Sequence, residues 1–223
     1  PNFPAATALD VARRYIGQGF AVIPIPHKAK SPNLAKWQTL RITEATADQY
    51  FGDGLQNIGA LLGEPSGKLI DIDLDCAEAV QLAPKFLPET PAIFGRESKP
   101  QSHYLYFADA KTAKFQTPDG RMIVELRSTG AQTVFPHSTH PSGEVVTWDS
   151  EGTPQSVEPT LLRAAVAMLA ACALLAQVWN KAEGSRHDLA LALAGGLMRS
   201  GWAVDDAKRF ICAAAECVGD DEL

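Results

Sequence analysis

The 223-residue chain contains no CxxC pair and only four cysteines, Cys76, Cys172, Cys212 and Cys217. The common zinc-site spacings are therefore missing, and there is no disulfide framework. The thiols are expected to be reduced, most of them buried, in a cytoplasmic protein. Positive charge is not in excess either, since the net charge is −6. The chain as a whole does not advertise nucleic-acid binding, although a local basic groove is compatible with that sum. No internal repeat or low-complexity tract stands out, and the N-terminus shows no signal peptide. The apolar run Leu161–Trp179 is Ala-rich and contains Arg163 and Gln177, so it reads as a buried helix rather than a membrane span. The chain opens on Pro1 and stops at Gly219-Asp-Asp-Glu-Leu223, which reads as a piece of something larger.

What is present is ordinary globular material: 46% hydrophobic and 21% charged residues, enough for one good core or two small ones. An amphipathic helix is predicted from Ala6 to Gly17, with a stripe of Ala8, Leu9, Ala12, Tyr15 and Ile16. Strands follow at 20–25 and 57–63, with a basic loop from Lys28 to Ser31 and a short helix over 43–51 capped by Thr43 between them. A strand at 69–75 leads into a helix at 78–86. The next block is rich in strands, at 91–94, 102–107, 122–127, 133–135 and 144–148. From about 158 the texture turns helical and Ala-rich, with helices at 159–179, 186–200 and 204–218; Ser185 and Asp188 suit the start of the second. The expected domains are 1–155 and 156–223.

The strand Leu69-Ile-Asp-Ile-Asp-Leu-Asp75 is the most informative segment. Strand period two puts Asp71, Asp73 and Asp75 on one face, about 7 Å apart, with Ile72 and Leu74 on the other. Carboxylates so arranged repel one another and raise their own pKa values. A divalent cation is the common remedy, and hard oxygen ligands suit Mg²⁺ or Mn²⁺. His103 and Glu125 sit on neighbouring predicted strands. Glu125 shares a face with Arg127, and either Arg127 or a metal can balance it. Two carboxylate strands with a His and an Arg fit metal-assisted phosphoryl or nucleotidyl transfer.

These segments, taken in order, resemble the bifunctional primase-polymerase domain of the archaeo-eukaryotic primase superfamily, in its phage and plasmid branch. The resemblance runs over about residues 6–150. It is carried by Gly19-Phe-Ala-Val-Ile-Pro24, Lys30-Ser-Pro32, Trp37, Asn57-Ile-Gly59, Gly63, Ser66-Gly67, the acidic strand, His103-Tyr-Leu-Tyr-Phe107, Val124-Glu-Leu-Arg127 and His140-Pro-Ser-Gly143. It implies an α+β fold, with an RRM-like mixed-sheet core followed by a small all-helical domain. It implies a DNA-dependent primase-polymerase working on a single-stranded template with NTPs or dNTPs and Mg²⁺ or Mn²⁺. Two of Asp71, Asp73 and Asp75, together with Glu125, become the catalytic metal ligands. His103, Arg127, His140 and Ser102 become nucleotide contacts, and Arg96, Lys99 and Lys30 become template or phosphate contacts. The chain departs from the family pattern in offering three aspartates for two places, Gln101 for a small residue, Glu125 for Asp, and His137 where Pro is more frequent. The segment Gly184-Ser-Arg-His-Asp188 with the helix after it is similar to one that leads towards a helicase in phage and plasmid replication proteins.

Two other classes compete. One is a metal-dependent nicking or nuclease initiator, which the two-residue gap between His137 and His140 disfavours. The other is a non-catalytic nucleic-acid-binding module attached to a helicase, which the full set of acids and His103 disfavours.

Overall fold

The computed structural model describes residues 6–52, 54–179 and 186–220. In chain order the elements are α1 (Ala8–Gly17), β1 (Val22–Pro26), β2 (Gln56–Leu61), β3 (Leu69–Leu74), α2 (Ala77–Phe86), β4 (Ile93–Arg96), β5 (Lys99–Phe107), β6 (Ala113–Gln116), β7 (Met122–Arg127), β8 (Gln132–Val134), β9 (Val146–Ser150), β10 (Gln155–Ser156), α3 (Pro159–Val178), α4 (Arg186–Arg199) and α5 (Val204–Cys217). One sheet is antiparallel, in the order β1-β2-β8; the larger runs β6-β7-β3-β5-β4-β9, with β10 parallel to β5. The fold is α+β, as the sequence implied.

Local chemistry explains most of these elements. Helix α1 starts on a reciprocal cap: the Thr7 hydroxyl accepts from the Asp10 N–H, and the Asp10 carboxylate accepts from the Thr7 N–H. Strand β3 is held by Leu69, Ile70, Ile72 and Leu74, all fully buried. The helix expected over 43–51 is only a single 3₁₀ turn at Ala47–Gln49. Thr43 donates its N–H to the Thr46 hydroxyl, and such side-chain bonds compete with a helical start. Strands β6 and β10 lacked a readable signal, being short with mixed exposure.

The chain divides into two compact units. The first comprises residues 1–73, 89–113 and 125–163, and the second 74–88, 114–124 and 164–223. The first is built on aromatic edge contacts. Tyr15 meets Phe135 at 5.0 Å between ring centres, and Phe20 meets Phe135 at 5.4 Å. Phe94 meets Trp148 at 5.4 Å, and the Trp148 indole N–H donates to the Tyr15 hydroxyl at 3.2 Å. Burial pushes the Tyr15 phenol up to about 12.

In the second unit Phe210 packs edge-on against Phe86 and Trp202. The Trp179 indole N–H donates to the buried carboxylate of Asp220 at 2.9 Å. Helix α3 is long and apolar enough to cross a membrane by length and composition. Its buried residues Leu162, Val166, Leu169, Ala173 and Ala176 recur every three or four positions, the pattern of a helix packed along one stripe. The four cysteines are free, but only Cys172 is buried; Cys76, Cys212 and Cys217 are half-buried, which corrects the expectation that most would be inside. Gly184 and Ser185 lie outside the described residues.

One glycine is required by packing as well as by conformation. Gly63 has φ +74°, and a Cβ there would sit 2.4 Å from the Thr129 backbone nitrogen, whereas Gly120, at φ +87°, faces open space. Gly63→Ala should therefore cost at least about 3 kcal/mol and Gly120→Ala about 1 kcal/mol. Urea unfolding of the two variants measures this, and equal losses would contradict the packing argument.

Candidate active site

Three strands of the first unit deliver the charged groups. The β3–β5 register sets Asp73 directly opposite His103, so both side chains lie on one face. Asp71, two residues back, shares that face. On β7, Val124 and Leu126 are fully buried, and the alternation leaves Glu125 and Arg127 together.

The contacts converge on Asp71, whose side chain is 0% exposed, whereas those of Asp73, Glu125, Arg127 and His103 are each 20% exposed. The His103 Nδ1 lies 3.1 and 3.2 Å from the two Asp71 oxygens and 3.9 Å from Asp73. One Arg127 guanidinium nitrogen stands 3.4 Å from Asp71 and 3.5 Å from Asp73. Its Nε is 3.8 Å from Glu125, and Nη2 donates to the Gln132 carbonyl. These ion-pair distances exceed the 2.7–2.9 Å typical of a tight charge-assisted bond. Arg127 is thus shared among three carboxylates and grips none of them closely. The His103 ring stacks on Phe94 at 4.5 Å and 6°, which fixes its plane.

Electrostatics follow from this crowding. Burial works to raise the Asp71 pKa, but His103 and then Arg127 outweigh it and hold the carboxyl below its usual range. Burial likewise opposes charge on His103, and the carboxylates of Asp71 and Asp73 overcome it, so the imidazole pKa is raised. Three carboxylates against one guanidinium and one protonated imidazole leave the cluster net negative.

The other candidate residues are placed differently. Asp75 follows the last residue of β3, is exposed, falls in the second unit, and donates its N–H to the Ile123 carbonyl. Ser102 is buried, one residue from His103 and so on the opposite face of β5, and its hydroxyl has no partner among the described residues. His140 lies in a second cationic group. Its pKa is lowered by burial and by the nearby charges of Arg96 and Lys30. Its Nδ1 accepts from the Ser142 N–H at 3.1 Å, so the neutral ring carries its hydrogen on Nε2, a buried atom with no partner among the described residues. Arg96 is bonded to Glu144 at 3.1 Å. Hydrogen bonds from Ser142 and Ser98 hold that carboxyl down to about 2. Lys99 opens β5 and pairs in register with Arg96.

Sequence reasoning missed two organising residues. Asn57, fully buried, donates to the carbonyls of Ala29 and Thr139 and accepts from the Thr139 N–H at 2.8 Å. It pins the Lys30 loop to the His140 loop. Gln132 donates to the Lys30 carbonyl at 2.8 Å. A polar residue opening an otherwise apolar strand was the available signal for Asn57. Gln101 adopts φ +49°, a conformation L side chains disfavour, which accounts physically for a preference for a small residue there.

Residues 12–161 match the family described as bifunctional DNA primase/polymerase, N-terminal. The chain belongs to that family. No curated protein shows significant similarity to it. The primase/polymerase family generally depends on metal ions, and its activity is nucleotidyl transfer on DNA. The hard carboxylate set of Asp71, Asp73 and Glu125 fits Mg²⁺ or Mn²⁺ in kind and in net charge. Among the described residues no three acidic, His or Cys side chains are yet gathered into a metal-holding group; the Arg127 guanidinium stands among the acids instead.

The two pKa shifts carry opposite signs for stability in metal-free protein. His103, with its pKa raised on folding, contributes fully below about pH 6.5 and loses the contribution as pH rises through the folded value. Asp71, with its pKa lowered, contributes above about pH 4 and loses it as pH falls through the folded value. The stability difference between the protein and His103→Gln, measured by urea unfolding with EDTA, should be largest near about pH 6 and shrink at higher pH. A difference that grows with pH would contradict the assignment.

Proposed function

We propose that this Prim-Pol domain is a DNA-dependent primase-polymerase that makes or extends primers on single-stranded template. The observation that carries the reading is the convergence of Asp71, Asp73 and Glu125 with His103 and Arg127 on adjacent strands of a chain in this family. Asp71 and Asp73, rather than Asp73 and Asp75, form the metal-binding pair with Glu125, because His103 and Arg127 both reach that pair. These carboxylates would hold Mg²⁺ or Mn²⁺, which when bound would supply Lewis acidity at the primer 3′-hydroxyl and the leaving pyrophosphate.

The protein's own groups do the remaining work. Arg127, only loosely shared among the acids, turns its guanidinium to the triphosphate of the incoming nucleotide. Protonated His103, locked between Phe94 and Asp71, donates from Nε2 to a phosphate oxygen. Lys30, Arg96 and His140, joined through Asn57 and Glu144, hold phosphates of the template or nucleotide, which makes template binding salt-sensitive. The catalytic domain covers 1–155, the helical part 156–223 is accessory, and the chain is the N-terminal part of a cytoplasmic replication protein of a mobile element with a helicase beyond residue 223.

Primer extension with a labelled oligonucleotide, template, dNTPs and Mg²⁺ or Mn²⁺ tests this. Asp73→Ala and Glu125→Ala should each lower the rate by about 100-fold or more, and EDTA should abolish it. Asp75→Ala should cost less than about tenfold. A wild-type protein that extends nothing, or that shortens the DNA, contradicts the reading, as does Asp73→Ala extending normally.

A further inference from the structure

The first unit contains a pocket of about 310 Å³ lined by Ser31, Pro32, Trp37, Arg127, Gly130, Ala131 and Gln132. That is the lower end of the range for small-molecule sites. We propose that it receives the base and sugar of the incoming nucleotide, with Trp37 as the stacking surface. The inference rests on the proposed polymerase reading and adds the residues that hold the nucleoside.

Four observations support it. Arg127 lines the pocket and also stands against Asp71, Asp73 and Glu125. A ligand seated there lies beside the guanidinium that also faces the acids. Trp37 is half-buried, and among the described residues its indole packs on no other ring; a free aromatic face is what a base stacks on. The remaining wall is small, from Ser31, Pro32, Gly130 and Ala131, and leaves room for a flat heterocycle. Finally, Gln132 steadies the wall: its Nε2 donates to the Lys30 carbonyl, next to Ser31 of the lining.

The backbone makes the placement specific. Lys36 adopts a left-handed conformation at φ +57° immediately before Trp37, and the Thr39 hydroxyl and N–H both donate to the Lys36 carbonyl. This turn sets the direction of the indole. The occupant is a mononucleotide rather than a template base, because the lining includes the arginine that contacts the catalytic acids and no other side chain of basic charge.

Equilibrium binding to the full chain in Mg²⁺ without template tests the proposal, using dATP, inorganic tripolyphosphate and a labelled oligo-dT as three separate probes. Trp37→Ala should weaken dATP binding roughly tenfold, within the range of aromatic–base stacking. Trp37→Phe should stay within about threefold, because a ring remains. Tripolyphosphate and oligo-dT binding should not change in either variant. Trp37 fluorescence, isolated as wild type minus Trp37→Phe, should be quenched by dATP, a readout that stands even if Trp37→Ala folds poorly. Unchanged dATP binding without quenching overturns the proposal. An equal loss for tripolyphosphate does so too, and so does a loss confined to oligo-dT, which would make Trp37 a template contact. The two readings fail separately. A protein that binds dATP through Trp37 but extends no primer keeps the pocket and loses the polymerase. One that extends primers with dATP binding indifferent to Trp37 does the reverse.

Discussion

A carboxylate sealed from water is the constraint on which the site depends. Asp71 is fully buried on a strand whose other face is aliphatic, and an isolated charge there would cost several kcal/mol. It is tolerated because two cationic groups reach it from neighbouring strands. That requirement fixes the β3–β5 register, since a slip by one residue would turn His103 to the wrong face. It fixes Arg127 as well, because no other described guanidinium reaches Asp71. Removing either cation leaves a buried charge half-compensated, so the cluster behaves as one unit rather than as separable pairs.

The rest of the first unit holds those cations in place. Phe94 lies under the His103 ring and against Trp148, which is hydrogen-bonded to Tyr15 of the N-terminal helix. Core packing thereby sets the plane of a site imidazole. On the other side, Asn57 ties the Lys30 loop to the loop carrying His140, and Gln132, whose carbonyl accepts from Arg127, ties it to β8. A rigid aromatic core beneath, with polar staples joining the loops above, is the arrangement that keeps catalytic groups near their working geometry. Arg127 is the exception. It is long in all three of its carboxylate contacts and opens onto the Trp37 pocket, which makes it the group best placed to change partners.

Much of this was legible in the sequence where the pattern is local. The alternation in Leu69–Leu74 and Met122–Arg127 put each acid on the correct face, and Glu125 was paired with Arg127 from spacing alone. The three C-terminal helices were readable from their Ala-rich composition and their length. What could not be read depended on contacts between distant segments. Nothing in the period-two pattern distinguishes Asp71 from Asp75; the first is sealed by residues more than 30 positions away, and the second falls just past the end of the strand. Ser102 beside His103 looks like a partner on paper, yet strand geometry turns it away. The helix expected at 43–51 failed because Thr43 and Thr46 bond to each other, a choice that helical propensity does not encode. Asn57 looked like one polar residue in a strand, and its role appears only once the Ala29 and Thr139 loops are brought to it.

The central claim is that Asp71, Asp73 and Glu125 form one cation-binding cluster whose resident charge, in the absence of metal, is Arg127. Electron paramagnetic resonance of Mn²⁺ titrated into the nucleotide-free full chain tests it most directly, because free and bound ion are counted without any turnover. The account predicts saturable binding in the wild type, loss of it in Asp73→Asn, and tighter binding in Arg127→Gln, where the competing guanidinium is gone. Mn²⁺ binding that is the same in Asp73→Asn as in the wild type would contradict it.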